Sequence, residues 1–313
     1  MEELRKIWNV QKSFNRNFVN FDNLTDEERQ RQTKEYILHL FSETDEILRE
    51  INWKMHRKKD IAVNKQNLTE ELIDVFKYWC SILQLWDITP EEFVKEFHRK
   101  SSVVEQRYKQ EIKLNLISDE NVIGIDIDGV LADYPRSFIN FISNELSIDF
   151  KDFSPKTHDL CNELGMFIKD KQKIVELKHK YRSSGYKRNI PVIKDAVFAL
   201  KELKELGYTI VLLTARPYKE YPRMFADTME WLDNNGFVYD AIIWDENKEN
   251  KIIKQFPKMK FMIEDNLYNA LKISEYGYKV ILFNKTYNKN DDHVDNVFRV
   301  NNWIEAMEMI RDE

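Results

Sequence analysis

The first 118 residues contain no glycine and a single proline, Pro90, while all seven glycines lie from Gly124 onward. A chain that avoids both breakers over such a length reads as helices joined by short polar loops. Four stretches carry helical apolar spacing. They are 2–20 (Leu4, Ile7, Trp8, Phe14, Phe18), 33–58 (Ile37, Leu40, Phe41, Ile47, Leu48, Ile51, Met55), 68–86 with Thr69 as its cap, and 90–114. In the last, Pro90 follows Thr89 at a first-turn position. The pattern predicts a bundle of about four helices. Beyond residue 121 the period changes. VIGIDI (122–127), TIVLLT (209–214), DAIIW (240–244), KFMIE (260–264) and KVILF (279–283) are short, apolar and rich in β-branched residues. Helical patterns at 193–206, 222–235 and 268–276 lie between most of them. Such alternation predicts a parallel sheet covered on both faces. Two domains follow, 1–118 and 119–313, with the break near Ser118–Asn121.

Composition excludes several classes of function. Hydrophobic residues at 42% and aromatics at 13% suffice for packed cores, so the chain is not disordered. A formal net charge of −6 argues against coating nucleic acid, and stable nucleic-acid binding is not expected. Cys80 and Cys161 provide neither a disulfide framework nor a zinc spacing, which suits a reducing cytosol. No apolar run reaches the length of a membrane span, and the N-terminus MEELRKIW is too charged for a signal peptide. The expected location is the cytoplasm, or a host's cytoplasm for a phage-encoded chain.

The segment IGIDIDGVLADY (123–134) ends an apolar strand in Asp126 and Asp128, followed by Gly129. Ligands bind at the carboxyl ends of parallel strands. A carboxylate there can attack phosphorus to give an aspartyl-phosphate. It then needs a hard cation, a second acid for the leaving oxygen and donors for the transferring group. Alone, Asp-x-Asp-Gly is also an ordinary turn after a strand. Two further strand ends add to it. VLL (211–213) runs into Thr214, Ala215, Arg216 and Pro217, with a hydroxyl placed to donate to a phosphate oxygen. FMIEDN (261–266) ends in the adjacent acids Glu264 and Asp265, which facing Asp126 would make a divalent-metal site. Lys248 and Lys251 lie on the helix expected after Trp244, and either could balance that charge or be a solvated lysine.

This ordered set resembles the haloacid dehalogenase superfamily of phosphatases across residues 121–313. The resemblance implies Asp126 as nucleophile, Asp128 as general acid/base, Thr214 as phosphate donor and Lys251 as the third-motif lysine, with Lys248 as fallback. It implies Mg²⁺ held by Asp126, the Asp128 main-chain carbonyl and the fourth-motif acids, Asp265 first and Glu264 second. It also implies that the long insertion before Thr209, about 135–190, is a small helical cap, where Arg182, Lys187 and Arg188 could touch substrate or face solvent. The cap and the TARP segment look most like the 5′-deoxynucleotidase group, with Arg216 toward the substrate. YPRMFADTMEWL (221–232) is similar to polynucleotide 3′-phosphatase domains, but no phosphate-cradling G-x-x-x-x-G-K-[ST] loop accompanies it.

In the helical half, Glu43 and Glu46 share one helix face, as do Glu71 and Asp74. Were the two helices antiparallel, four acids in one seam would repel unless cations sat among them, and oxygen ligands suit Mg²⁺. Acids at this spacing are also common on solvated helices. LFSETDEILREINWK (40–54) with NLTEELIDVFKYW (67–79) resembles the all-α NTP pyrophosphatase superfamily, which includes MazG-like enzymes, dCTPases and dimeric dUTPases. The Trp53-Lys54 pair and residues 88–108 look closest to the dimeric dUTPase branch. The resemblance implies Mg²⁺ on Glu43, Glu46, Glu71 and Asp74, Glu46 as base for the attacking water, and a homodimer through the helical domain. It places Lys54, Lys100 and Arg107 near the phosphates or sugar and Gln11 at a pyrimidine edge. Val104 occupies the position where this branch carries Asn. Lys54, Arg57, Lys58 and Lys59 form a basic cluster that could attract polyphosphate or complement the helix end.

The expected architecture is therefore a multidomain α and α/β chain, an all-α bundle followed by a Rossmann-like phosphatase domain with a small cap. The expected function is bifunctional. The first domain would convert a dUTP- or dCTP-like triphosphate to monophosphate and pyrophosphate, and the second would remove the remaining phosphate. The rival expectation is a 3′-phosphatase or small phosphomonoesterase carrying a helical dimerisation or nucleotide-sensing module.

Overall fold

The computed structural model describes residues 1–21, 23–51, 53, 62–118, 120–150, 152–289 and 293–312. After α1 (Glu2–Asn15), a capping box between Thr25 and Glu28 opens α2 (Asp26–Arg49), well before residue 33 where periodicity alone would start it. That helix ends at Arg49. α3 (Lys65–Leu85) is capped by Asn64, whose side chain accepts from the amides of Gln66 and Asn67. Thr69, expected as the cap, lies inside the helix and bonds back to the Lys65 carbonyl. Thr89 and Glu92 bond reciprocally at the start of α4 (Pro90–Leu116).

The chain divides into two compact units, Met1–Ser102 and Val103–Glu313. The division falls inside α4 rather than near residue 118, because Leu114 and Ile117 pack with Val122, Ile252 and Met262 in the second unit's core. In the first unit α1 and α2 both pack on α3. Its core is small: Phe21, Tyr36, Ile82 and Leu85. Much apolar surface on α2 and α3 stays exposed, including Phe41, Leu72, Phe76 and Trp79.

In the second unit β1 (Val122–Asp126) leads into a cap of α5 (Tyr134–Leu146), α6 (Leu160–Phe167), α7 (Lys171–Ser183) and a 3₁₀ turn at Tyr186–Asn189. α5, α6 and α7 enclose their own core around Phe138, Ile142, Leu164 and Tyr181. The chain continues through α8 (Ala196–Glu205), β2 (Thr209–Thr214), α9 (Arg223–Asn234), β3 (Ala241–Trp244), α10 (Lys248–Gln255), β4 (Phe261–Glu264), α11 (Leu267–Glu275), β5 (Lys279–Phe283), β6 (Val297–Val300) and α12 (Trp303–Arg311). The six strands form one parallel sheet in the order β3-β2-β1-β4-β5-β6. β6, whose residues are only partly buried until Val300, carried no apolar run in the sequence. Alternate β1 residues feed the two faces, Ile123 and Ile125 one core and Val122 the other. The strand order reverses between β1 and β4, which puts a crevice at their carboxyl ends. Gly124 lets α10 press close to the sheet, since a Cβ there would lie 2.5 Å from Ile252 Cδ1.

Candidate functional site

β1 delivers Asp126 into the crevice, β4 delivers Glu264 and Asp265, and the start of α10 delivers Lys248. All four are buried. Lys248 Nζ lies 2.6 Å from Asp126 Oδ2 and 2.9 Å from Glu264 Oε1. Lys251, the first choice from sequence, pairs elsewhere. Its side chain is about half exposed and its ion-pair partner is Asp245, 3.8 Å away. The two lysines are three residues apart, and Lys248 in the first turn of α10 is the one aimed at the strand ends.

Glu264 is almost fully committed to protein donors. Besides Lys248, it accepts from Asn269 Nδ2 at 3.1 Å and from the amides of Asp265 and Asn266. Asp265 accepts from Tyr287 Oη at 2.5 Å, while Asn288 donates to its carbonyl. Gly129, at φ +90°, allows this approach, because a Cβ there would meet Asp265 Oδ2 at 1.8 Å. Ligand oxygens of Asp126, Glu264 and Asp265 lie within 4.8 Å of one another. Burial, followed by the Glu264 charge, pushes Asp265 up to about 6. Burial also raises Asp126 well above the usual carboxylate range, although Lys248 pulls the other way. Three converging buried acids against one lysine make an all-oxygen site short of positive charge, which fits a hard divalent cation. Asp126 and Asp265 are the side chains with oxygen left to hold it.

Asp128 lies beside this group and is gripped by two cations. Arg216 spans both of its oxygens, at 2.9 and 2.6 Å, and Lys187 reaches them at 3.2 and 3.3 Å. Burial would raise its carboxyl, but the Arg216 and Lys187 charges win and hold it well below the usual range. Burial conversely lowers Lys187 to about 7 against the pull of Asp128. Thr214 is buried at the end of β2, its hydroxyl accepting from the Arg216 amide. A cavity of about 370 Å³ opens over these groups, and Arg182, Lys187 and Arg216 line it. Arg188 points elsewhere, pairing with Asp227 at 2.6 Å. Tyr287 and Asn288 gave no sequence signal, since they follow β5 in a polar loop far along the chain.

In the first unit Glu43, Glu46 and Glu71 bring ligand oxygens within 4.8 Å, all half-buried. Asp74 is placed beside them but pairs with Lys77 at 2.8 Å. Burial and the neighbouring carboxylates raise both Glu43 and Glu71. Here too the donor set is oxygen alone and suits a hard cation. A cavity of about 550 Å³ adjoins Glu43 and Asp74, walled by α1, α2 and α3. Gln11 lines it, buried in a network with Asn15, Ser81 and Gln84. Asn15, Ser81 and the stacked pair His39–Tyr78 were not singled out from sequence. Lys100, expected at the phosphates, does not line this cavity. Lys100 is exposed on α4, and Arg107 belongs to the second unit, its guanidinium 5.0 Å from the Tyr218 ring centre. Lys54, Arg57, Lys58 and Lys59 lie outside the described residues.

Residues 120–313 match the family model described as 5′ nucleotidase, deoxy (Pyrimidine), cytosolic type C protein, and residues 3–189 match the dUTPase model. The chain belongs to both families. Both halves fall among hydrolases of nucleotides, the second built on the parallel sheet described above. The chain is similar to a solved structure titled a predicted phosphatase from Clostridium acetobutylicum (16% identity, 62% of this chain and 99% of that one, TM-score 0.44). It is also similar to a hydrolase from Pseudomonas syringae (11%, 62% and 99%, TM-score 0.41) and a Had-superfamily hydrolase from Ehrlichia chaffeensis (13%, 61% and 96%, TM-score 0.37). No curated protein matches the chain. Among the described residues no helix is long and apolar enough to cross a membrane.

Proposed function

We propose that this nucleotidase–dUTPase chain carries two successive hydrolytic sites. The helical unit cleaves a pyrimidine deoxynucleoside triphosphate to monophosphate and pyrophosphate, and the α/β unit then frees the nucleoside. The observation that carries the reading is the presence of two separate sets of converging carboxylates, Glu43/Glu46/Glu71 and Asp126/Glu264/Asp265, each with ligand oxygens within 4.8 Å of one another. The pairing is coherent because the product of the first site has the phosphomonoester that the second site attacks.

In the α/β unit Asp126 is the nucleophile. Thr214 and Lys248 hold the transferring phosphoryl group, and Asp128 moves the proton. Asp126 and Asp265, with the Asp128 carbonyl, would hold Mg²⁺; Glu264 instead anchors Lys248. In the helical unit Glu43, Glu46, Glu71 and Asp74 would hold Mg²⁺, and Glu46 takes the proton of the attacking water. Bound magnesium supplies charge neutralisation at the phosphates and a more acidic water. The buried amides of Gln11 and Asn15 offer donors and acceptors for a pyrimidine edge. The exposed apolar residues of α2 and α3 supply a face for homodimerisation. Free Cys80 and Cys161 accord with a cytoplasmic setting.

The test is a panel of NTPs and dNTPs with Mg²⁺, scoring pyrophosphate, phosphate and nucleoside separately, alongside dNMPs and a 3′-phosphorylated oligonucleotide. Pyrophosphate with dNMP from the triphosphate, and phosphate from the dNMP, is the expected result. Stepwise formation of diphosphate, or phosphate release from the oligonucleotide alone, would overturn it.

A further inference from the structure

Among the described residues five basic side chains line the cavity over Asp126: Lys178, Arg182, Lys187, Arg216 and Lys248. Three of them meet acids. Lys248 lies 2.6 Å from Asp126, and Arg216 and Lys187 lie 2.6 and 3.2 Å from Asp128. Lys178 and Arg182 differ. Both are half-buried, and among the described residues neither forms an ion pair. They stand four residues apart on α7, which sets them on one helix face. Their immediate partners carry no compensating charge. Lys178 donates to the Cys161 thiol, a weak acceptor. The Arg182 guanidinium lies 5.4 Å from the ring centre of the buried Tyr221. Two further acids line the cavity, Asp159 and Glu246, but both are exposed, and the Asp159 carboxylate caps α6 through the Asn162 amide. The cap side of the cavity therefore holds two positive charges beyond those that Asp126 and Asp128 balance. A plain dNMP does not answer them. Its one phosphate is placed at Asp126, and its deoxyribose and pyrimidine are neutral. Half-buried cations facing a cavity are best satisfied by an anion that accepts charge-assisted hydrogen bonds.

We propose that the α/β site prefers a nucleotide with a second phosphate, a nucleoside 3′,5′-bisphosphate, whose 3′-phosphate is held by Lys178 and Arg182 while its 5′-phosphate is removed. The proposal rests on the reading of Asp126 as the nucleophile given above. The bond from phosphorus to the 5′ oxygen breaks as one from Asp126 forms, and water then takes the phosphoryl group from Asp126. One water is consumed: its oxygen and one hydrogen end on inorganic phosphate, and the other hydrogen, in net, on the 5′ hydroxyl. The products are inorganic phosphate and a nucleoside 3′-phosphate.

The test measures phosphate release by the full chain with Mg²⁺ from the 5′-monophosphates and the 3′,5′-bisphosphates of deoxycytidine and deoxyuridine, with products separated by chromatography. The expected kcat/KM is higher for a bisphosphate than for its monophosphate by about tenfold or more, with the nucleoside 3′-phosphate as product. In Arg182→Gln that preference falls by about tenfold, mostly through KM, and Lys178→Gln lowers it less. Arg182→Lys keeps the charge and retains part of the preference. Equal or higher kcat/KM for the monophosphates, removal of the 3′-phosphate instead, or equal effects of Arg182→Gln on both substrates would overturn the proposal. Asp126→Asn, run in parallel, separates the two failures. Phosphate release by that variant refutes the nucleophile reading, whereas release that requires Asp126 but shows no preference refutes the second-phosphate site alone.

Discussion

The two carboxylate sets of this chain are built differently. In the α/β unit the acids are buried and partly answered by protein cations, Lys248 on Asp126 and Glu264, Arg216 and Lys187 on Asp128. In the helical unit the three glutamates are half-buried on two packed helices, with Lys77 taken up by Asp74. A site at strand ends draws its counter-charges from several distant segments and is pre-organised. A site in a seam between two helices has only helix faces to draw on, and depends more on ions supplied from outside. Preorganised charge in a dry site is worth more than the same charge in water.

The comparison can be broken at several points. The largest effect is expected for Asp126→Asn, which should lower phosphate release from a dNMP by roughly 10³-fold or more while pyrophosphate release continues; separate pyrophosphate and phosphate assays on one protein check this. Parallel loss of both activities would mean the sites are not independent. Lys248→Met leaves buried acids without their cation and should cost about 3–5 kcal/mol in a urea titration with chelator, whereas Lys251→Met should stay within about 0.5 kcal/mol. Similar costs for the two would return Lys251 to consideration. Glu71→Gln should lower pyrophosphate release by about 10²-fold with dNMP hydrolysis intact, and, by removing one repelling charge, should slightly stabilise the chelated helical unit. Loss of assembly with activity retained would instead point to a scaffold.

The smallest effect is linked to pH. Asp265 titrates near 6 when folded, raised first by burial and then by Glu264, against 3.8 for an ordinary aspartate. Its folded pKa is above its unfolded one, so the folded state binds more protons in that window. In chelator, this group therefore adds stability as pH falls from about 6 toward 4, by at most about 1.4 kcal/mol per unit. Magnesium favours the carboxylate and should erase the gain. Unfolding titrations at stepped pH, with and without chelator, read the difference; a magnesium effect unchanged across the window would argue against Asp265 as a ligand.

Much of this was legible before any coordinates. The absence of glycine over the first 118 residues, Thr89 ahead of Pro90 and the apolar runs at 122–127 and 209–214 report local preferences, and local preferences decide helix and strand. β6 escaped because an edge strand half in solvent needs no continuous apolar run. Lys54 and its basic neighbours stay outside the described residues. The contact of Arg107 with Tyr218 gave no sequence signal, because the register of a helix says nothing about which neighbour its side chains will meet.

By itself the sequence determined the two architectures, the paired acids at three-residue spacing and the Asp-x-Asp turn at a strand end, since each depends on residues a few positions apart. Only the tertiary structure placed Lys248 rather than Lys251 against Asp126 and Glu264, filled the Glu264 carboxylate with protein donors, buried Lys187 against Asp128, brought Tyr287 to Asp265 and divided the chain within α4. Those outcomes depend on where segments tens of residues apart come to rest against one another, and on which charge then has no water left around it.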